Sequence, residues 1–206
     1  GKNVNVLAVR GNFDECQSAV KKIFTSEECK EELKSKGVVL SSANSINFGR
    51  LAPQIAYYFS AYLDLVSSEQ IKMGDAVDFA VPTGNFGNIL AAYYAKRMGR
   101  PVGKLICASN KNNILTDFIR TGTYDKRREF YKTMSPSMDI LISSNLERLL
   151  FELSGREPKR VKMRMDKLAA EGVYEIYDEE REELEKLFWA DFCGEDETVE
   201  TIYEFF

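Results

Sequence analysis

The sequence of 206 residues predicts an α/β fold with a mainly parallel sheet. Short apolar runs typical of strands alternate with longer segments whose apolar residues recur at helical spacing. Over residues 76–108, a strand, a glycine-containing loop, a helix and a second strand follow one another, which suits a parallel crossover. Alternation of this kind is typical of α/β domains.

The N-terminal part predicts a strand, helical segments and a second strand. Val4 to Val9 alternates and is β-branched, which favours a strand. Asn12 and Glu15 have the spacing of a capping box before a helix. Residues 25–36 are predicted as a short helix or a loop, and Val38–Leu40 as a short strand.

The middle of the chain carries the most regular pattern. A helix is predicted over residues 48–66, with Pro53 in its first turns, where the missing N–H costs little. A buried strand follows over 76–81, then a helix over 89–98, a strand over 105–108 and a short helix over 114–119. These segments form the predicted parallel unit.

The remaining third predicts a further strand and several helices. Residues 139–142 are predicted as a strand, and Asn145 as the cap of a helix over 146–153. The basic run at 159–164 is predicted as a solvated helix face. Residues 178–204 have a net charge of −10 and predict two helices with acidic outer faces, with Trp189 in the core.

Composition excludes several classes of function. The chain contains no histidine, so a Ser-His-Asp triad, a histidine base and histidine metal ligation are impossible within it, and we predict no metal site. The net charge of −4 argues against nucleic acid as a partner. The four cysteines lack metal or disulfide spacing, which predicts reduced thiols and a cytoplasmic location. No apolar run is long enough to span a membrane, so no membrane partner is expected.

The segment Gly84-Asn85-Phe86-Gly87-Asn88 is the first candidate site. It joins the carboxyl end of a predicted strand to a helix N-terminus, where free N–H groups and the helix dipole favour an anion. It lacks the Lys-Ser/Thr of a Walker A loop and the third glycine of a dinucleotide fingerprint. A purely structural strand-to-helix turn remains the alternative.

The segment Asn44 to Arg50 is the second candidate site. Asn44, Ser45 and Asn47 lie at a predicted helix start, with Arg50 about one turn further on. An arginine fork with hydroxyl and amide donors suits a phosphate or carboxylate. The alternative is an ordinary helix cap with an exposed arginine.

Five sequence blocks resemble the threonine synthases of the bacterial and fungal branch. They are LAVRGNFDECQ (7–17), SSANSINFGRLAPQIAYYF (41–59), VPTGNFGNILAAYYAKRMG (81–99), ASNKNNILTDFIRTGTY (108–124) and SPSMDILISSNLERLLFEL (135–153). The resemblance implies a three-layer, tryptophan-synthase-β-like fold (fold type II of the enzymes that use pyridoxal 5′-phosphate, PLP), incomplete at both ends. It further implies two domain pieces, with residues 1–40 from the smaller domain and 41–206 from the PLP-phosphate domain.

The resemblance also implies a reaction and site residues. Gly84, Asn85, Phe86, Gly87 and Asn88 would hold the PLP phosphate, and Ser45, Asn47 and Arg50 would bind O-phosphohomoserine, giving threonine and phosphate by a lyase reaction in threonine biosynthesis. The family's Schiff-base lysine segment is absent, so no catalytic residue is carried over and this chain alone is expected to be inactive. The oligomeric state is left as monomer or homodimer.

Three alternatives remain open at this stage. Another fold type II PLP lyase, such as a dehydratase, is disfavoured by the Asn-Ser-Ile-Asn block at 44–47. A non-catalytic phosphate-binding module would share the loop without the chemistry. A nicotinamide dinucleotide domain is disfavoured by the loop pattern.

Overall fold

The computed structural model describes residues 3–11, 13–45 and 47–205. Contacts divide the chain into two compact units, Gly1–Ser42 and Ala43–Phe206. The predicted boundary at residue 40 lies two residues before this division. The assignment of the units to domains of a larger protein stays a prediction.

The first unit contains two helices, α1 (Phe13–Thr25) and α2 (Glu27–Ser35). Ser26 caps α2 by accepting a hydrogen bond from Cys29 N at 3.2 Å. The predicted strands at Val4–Val9 and Val38–Leu40 are wrong, since both segments are irregular. Neither has a partner strand among the described residues, and strand propensity alone forms no ladder. Asn12 of the predicted capping box lies outside the described residues.

The first helical region of the second unit is interrupted by a 3₁₀ turn near its N-terminus. Helix α3 (Phe48–Leu51) passes through a 3₁₀ turn (Ala52–Gln54) into α4 (Ile55–Ser67). Pro53 lies within the 3₁₀ turn, where its missing N–H interrupts the α-helical ladder. The predicted helix over 48–66 is therefore present in two parts.

The parallel sheet consists of β1 (Val77–Pro82), β2 (Val102–Ser109) and β5 (Phe188–Phe192), in the order β1-β2-β5. Both pairings are parallel, with Val81 opposite Cys107 and Cys107 opposite Ala190. Helix α5 (Gly87–Arg97) connects the first two strands. The predicted α/β class and mainly parallel sheet are confirmed, with β5 as a strand that the sequence analysis missed.

The other elements surround this sheet. They are α6 (Ile114–Thr121), β3 (Thr123–Asp125), α7 (Leu146–Leu153), α8 (Pro158–Glu171), β4 (Val173–Glu175), α9 (Asp178–Leu187) and α10 (Glu195–Phe205). Helices α6 and α8 each end at a left-handed glycine, Gly122 and Gly172, and the strands that follow pair antiparallel. Their Tyr124 and Tyr174 rings stack with centroids 5.2 Å apart.

Three further predictions for this unit need correction. Residues 139–142 form no strand, because polar side chains engage this segment instead: Tyr124 Oη donates to Leu141 O at 3.0 Å. Trp189 is half exposed on β5, while its neighbour Phe188 is in the core. Arg164 of the basic run is buried, because it pairs with buried Glu180.

Within the part of the chain that the structure describes, no helix combines the length and the apolar character needed to cross a bilayer.

Candidate functional site

The loop after β1 lies at the carboxyl edge of the parallel sheet. Thr83 N donates to Ala108 O at 2.9 Å, which extends the β1–β2 ladder by one residue. Phe86 then adopts a left-handed conformation, with φ 63°, and turns the chain into α5. The last two residues of the loop, Gly87 and Asn88, are therefore the first two residues of an 11-residue helix.

The N–H groups of residues 84–88 have no hydrogen-bond partner among the described residues. They include the first N–H groups of α5, which carry the partial positive charge of the helix dipole. Five adjacent unpaired donors at a helix start provide the chemistry for binding an anion.

A pocket of about 380 Å³ lies against this loop. The two candidate segments, distant in sequence, both contribute to it. Its lining is Ser45, Arg50, Gln54, Pro82, Gly84, Asn85, Gly87, Asn88, Ser137 and Met138. This lining contains one cation and no carboxylate, which favours an anionic ligand.

Both glycines of the loop lie close to neighbouring segments of the chain. A Cβ on Gly84 would lie 3.1 Å from Ser137 O. A Cβ on Gly87 would lie 2.8 Å from Ser45 Cβ, closer than atoms of this kind approach. The close approach of the loop to Ser45 therefore depends on glycine at position 87, whereas a Cβ at position 84 would require Ser137 to shift by a few tenths of an ångström.

The loop asparagines have different surroundings. Asn88 Nδ2 donates to Pro82 O at 2.8 Å, and Asn88 Oδ1 accepts from Ile89 N at 2.9 Å, so this side chain closes the loop. Asn85 Oδ1 accepts from Ser144 Oγ at 3.3 Å, and Asn85 Nδ2 has no partner among the described residues. The Asn85 amide is thus the one better placed to meet a ligand.

Tyr58 of α4 makes a hydrogen bond to the last residue of the loop. Its Oη donates to Asn88 O at 2.8 Å, and its ring packs edge-on against Phe79 of β1. Burial raises the pKa of Tyr58 to about 12, so the phenol keeps its proton well above neutral pH.

Two predicted site residues do not line the pocket. Phe86 is fully buried, with its ring centroid 5.7 Å from that of Phe188, so only its backbone N–H is available to a ligand. Asn47 is the N-cap of α3, and its Oδ1 accepts from Gly49 N at 2.9 Å. Their assigned binding roles stay predictions.

Four lining residues were not among the predicted site residues: Gln54, Pro82, Ser137 and Met138. Gln54 lies one helical turn after Arg50, and its Nε2 donates to Arg50 O at 2.9 Å. The i, i+4 spacing from Arg50 was an available signal for Gln54. Ser137 and Met138 belong to a 3₁₀ turn far along the chain, and no local pattern connects them to the loop.

The chain matches no family model. Threonine synthase-like 1 from Homo sapiens is 49% identical over 198 residues, which are 95% of this chain and 27% of that protein. Threonine synthase from Pseudomonas aeruginosa is 43% identical over 204 residues, 99% of this chain and 41% of that enzyme.

Solved structures agree with these relatives. The structure of PLP-bound threonine synthase from Brucella melitensis has a TM-score of 0.83 and 44% identity, covering 98% of this chain and 41% of that one. Yeast threonine synthase has a TM-score of 0.83 at 37% identity, covering 98% of this chain and 40% of that one. The chain thus spans between about a quarter and two fifths of the length of these relatives. Over the part of these relatives that it spans, the chain is similar in sequence to threonine synthases and has the same α/β fold.

Proposed function

We propose that the protein containing this chain is a threonine synthase, which converts O-phospho-L-homoserine and water to L-threonine and phosphate with PLP as cofactor. The observation that carries the proposal is the row of unpaired N–H groups at 84–88 in a pocket shared with Ser45 and Arg50. The likeness to threonine synthases over nearly the whole chain supports the same function.

The residues present fit the phosphate group of PLP. Backbone N–H groups and the α5 dipole would bind the phosphate oxygens, and Gly84 and Gly87 leave the backbone accessible. The Asn85 amide would add a side-chain donor. Phe86 would contribute its N–H and keep the loop in place through its buried ring.

The other side of the pocket would bind the substrate. Arg50 presents a guanidinium suited to a phosphate or carboxylate, with the Ser45 hydroxyl at the same pocket. Asn47 would act through the start of α3, which it caps, and so position Arg50. These side chains would orient O-phosphohomoserine against the cofactor.

PLP, when bound, supplies the electron sink for the elimination and water addition. The described lining of the pocket contains no lysine, so these residues bind and orient but offer no amine nucleophile. We therefore propose that the 206-residue chain by itself does not turn over substrate.

Two variants of the full gene product test the assignment. Asn85→Ala removes a donor beside the loop and is expected to weaken PLP binding about tenfold, measured by titrating the apoprotein. Arg50→Ala is expected to raise KM for O-phosphohomoserine about 10- to 100-fold, because a charge-assisted bond is lost. Arg156→Ala is the matched control, since this exposed arginine pairs with Glu152 and lies outside the pocket lining.

The outcomes separate the alternatives. An unchanged KM in Arg50→Ala would remove its substrate role. PLP binding without threonine formation from O-phosphohomoserine would favour a non-catalytic phosphate-binding module. That second candidate has one observation in its favour, namely that the pocket lining lacks a lysine.

We also propose a cytoplasmic location. The four cysteines are free thiols in the structure, as expected in a reducing compartment. Alkylation under denaturing conditions in freshly lysed cells tests this, since cysteines in disulfides would escape the reagent while buried thiols such as Cys107 would not.

A further inference from the structure

The segment Ser143-Ser144-Asn145, at the start of α7, makes hydrogen bonds to the loop of residues 84–88, which we call the anion loop. Ser143 Oγ donates to Gly84 O at 3.0 Å, and Ser144 Oγ to Asn85 Oδ1 at 3.3 Å. Asn145 donates twice to Asn85 O, from its backbone N at 3.1 Å and from its Nδ2 at 3.0 Å. The segment therefore bonds to two backbone carbonyls and one side-chain oxygen of the loop, and the backbone N–H groups of the loop stay free.

The hydrogen bonds to the loop carbonyls also fix the directions of the loop N–H groups. In a trans peptide, the C=O of one residue and the N–H of the next point in opposite directions. The bond to Gly84 O therefore sets the direction of the Asn85 N–H, and the two bonds to Asn85 O set that of the Phe86 N–H. A loop fixed in this way binds an anion without first losing conformational freedom.

Asn145 also connects the loop to the substrate side of the pocket. Its Nδ2, which donates to Asn85 O, donates to Ser45 Oγ at 2.9 Å as well. The side chain is fully buried, and its Oδ1 has no partner among the described residues. An unpaired buried oxygen costs free energy, and a reversed amide would set Oδ1 against Asn85 O. The two donor bonds thus account for an asparagine at this position.

We propose that Ser143 and Asn145 are positioning residues: they hold the anion loop in its binding conformation, and Asn145 couples the loop to Ser45. The inference rests on the proposed function, because it takes the loop as the PLP-phosphate site. It predicts different effects for the two residues. Ser143 acts on cofactor binding alone, whereas Asn145 acts on both cofactor and substrate.

The test uses the full gene product, with inorganic phosphate and PLP as probes of the apoprotein and steady-state kinetics of the PLP-loaded enzyme. Ser143→Ala is expected to weaken both phosphate and PLP binding about three- to tenfold and to leave KM unchanged. Asn145→Ala is expected to weaken both by tenfold or more and also to raise KM for O-phosphohomoserine.

A matched control separates positioning from general stability. Ser154, at the other end of α7, is as buried as Ser143 at 8% exposure, and its Oγ donates to Phe151 O at 2.8 Å. Because Ser154 Oγ also accepts from Glu157 N at 3.2 Å, Ser154→Ala should lower the unfolding temperature at least as much as Ser143→Ala, without changing either affinity. If Asn145→Ala fails to fold, Ser143→Ala and Asn145→Ser still test the loop.

Each outcome decides the inference. Weaker phosphate and PLP binding in Ser143→Ala and Asn145→Ala, but not in Ser154→Ala, supports it. Affinities within twofold of wild type in the Ser143 and Asn145 variants overturn it while leaving the proposed function intact. A wild-type protein that binds neither phosphate nor PLP overturns the proposed function and this inference together.

Discussion

Gly87 lies where three segments meet, and its missing side chain is what lets them meet. Gly87→Ala would place a Cβ 2.8 Å from Ser45 Cβ and 3.3 Å from Asn145 Nδ2, so one of the segments must move. We expect a loss of about 1–3 kcal/mol in stability and about tenfold weaker PLP binding. Urea unfolding and PLP titration of the same protein measure the two effects.

Gly194→Ala is the control for this change. A Cβ there meets nothing within 4 Å, and the position needs no left-handed backbone. It should keep wild-type stability within about 0.5 kcal/mol. Should Gly87→Ala bind PLP as well as Gly194→Ala does, the close approach at Gly87 has no bearing on the site.

Ionisation of Tyr58 makes the stability of the folded protein depend on pH above about pH 10. Its pKa is raised from 10.0 to about 12 in the folded protein, so ionisation favours the unfolded chain. The Tyr58 contribution to stability is thus complete below about pH 10 and is lost as the pH rises toward 12.

Tyr58→Phe removes the ionisable proton and the bond to Asn88 O. Its stability should be lower than wild type near neutral pH, and the gap should narrow between pH 10 and 12. Urea midpoints of both proteins across this range measure the gap. A gap of constant size would show that Tyr58 ionises equally in both states.

Residue types and spacing identified most of the pocket, because its chemistry is local at two helix starts. The unpaired N–H groups of Gly84 to Asn88 follow from the strand-loop-helix pattern. Asn145 was predicted only as a helix cap, and the structure gives its side chain no capping bond. Its partners, Ser45 and Asn85, lie 100 and 60 residues away, where no periodicity could indicate them.

At the scale of elements, helices were predicted better than strands. Helix periodicity is fixed within one segment, whereas a strand requires a partner that the local sequence does not specify. Residues 4–9 have strand propensity without a described partner and stay irregular. Phe188–Phe192 lies in the sequence between two acidic helices, and it forms β5 because it pairs with the free edge of β2.

Helices α8 and α9 are joined by a buried ion pair. Both carboxylate oxygens of Glu180 bind the Arg164 guanidinium, and one also accepts from Tyr177 N at 2.9 Å. Arg164→Ala would remove both bonds to this buried carboxylate and leave it with the more distant Arg160, whose Nη1 lies 4.0 Å from Glu180 Oε1, so it should cost about 3–5 kcal/mol. The free energy of unfolding in urea measures this loss.

Lys162→Ala provides the comparison on the same helix. Lys162 pairs with Asp166, and both side chains are more than half exposed, so the expected loss is about 0–1 kcal/mol. The double variant Arg164→Met/Glu180→Leu should recover most of the loss, since no buried charge remains. Equal losses in Arg164→Ala and Lys162→Ala would contradict a stabilising role for the buried pair.

For the whole molecule, the core and the candidate site lie in the same unit. Every member of the buried apolar cluster lies between Leu51 and Ala190, within Ala43–Phe206. The pocket lining falls within the same unit, from Ser45 to Met138. The residues of this core and those that line the pocket are therefore contributed by one contiguous stretch of chain.

A chain beginning at Ala43 tests this organisation. We expect it to unfold cooperatively and to bind inorganic phosphate as tightly as the 206-residue chain, because its core and pocket residues are all retained. A chain beginning at Ala76 should lose both properties, since it lacks core residue Leu51 and pocket residues Ser45 and Arg50. Calorimetric unfolding and phosphate titration measure the two. Loss of cooperative unfolding in the chain beginning at Ala43 would mean that residues before it are needed for the folding of the second unit.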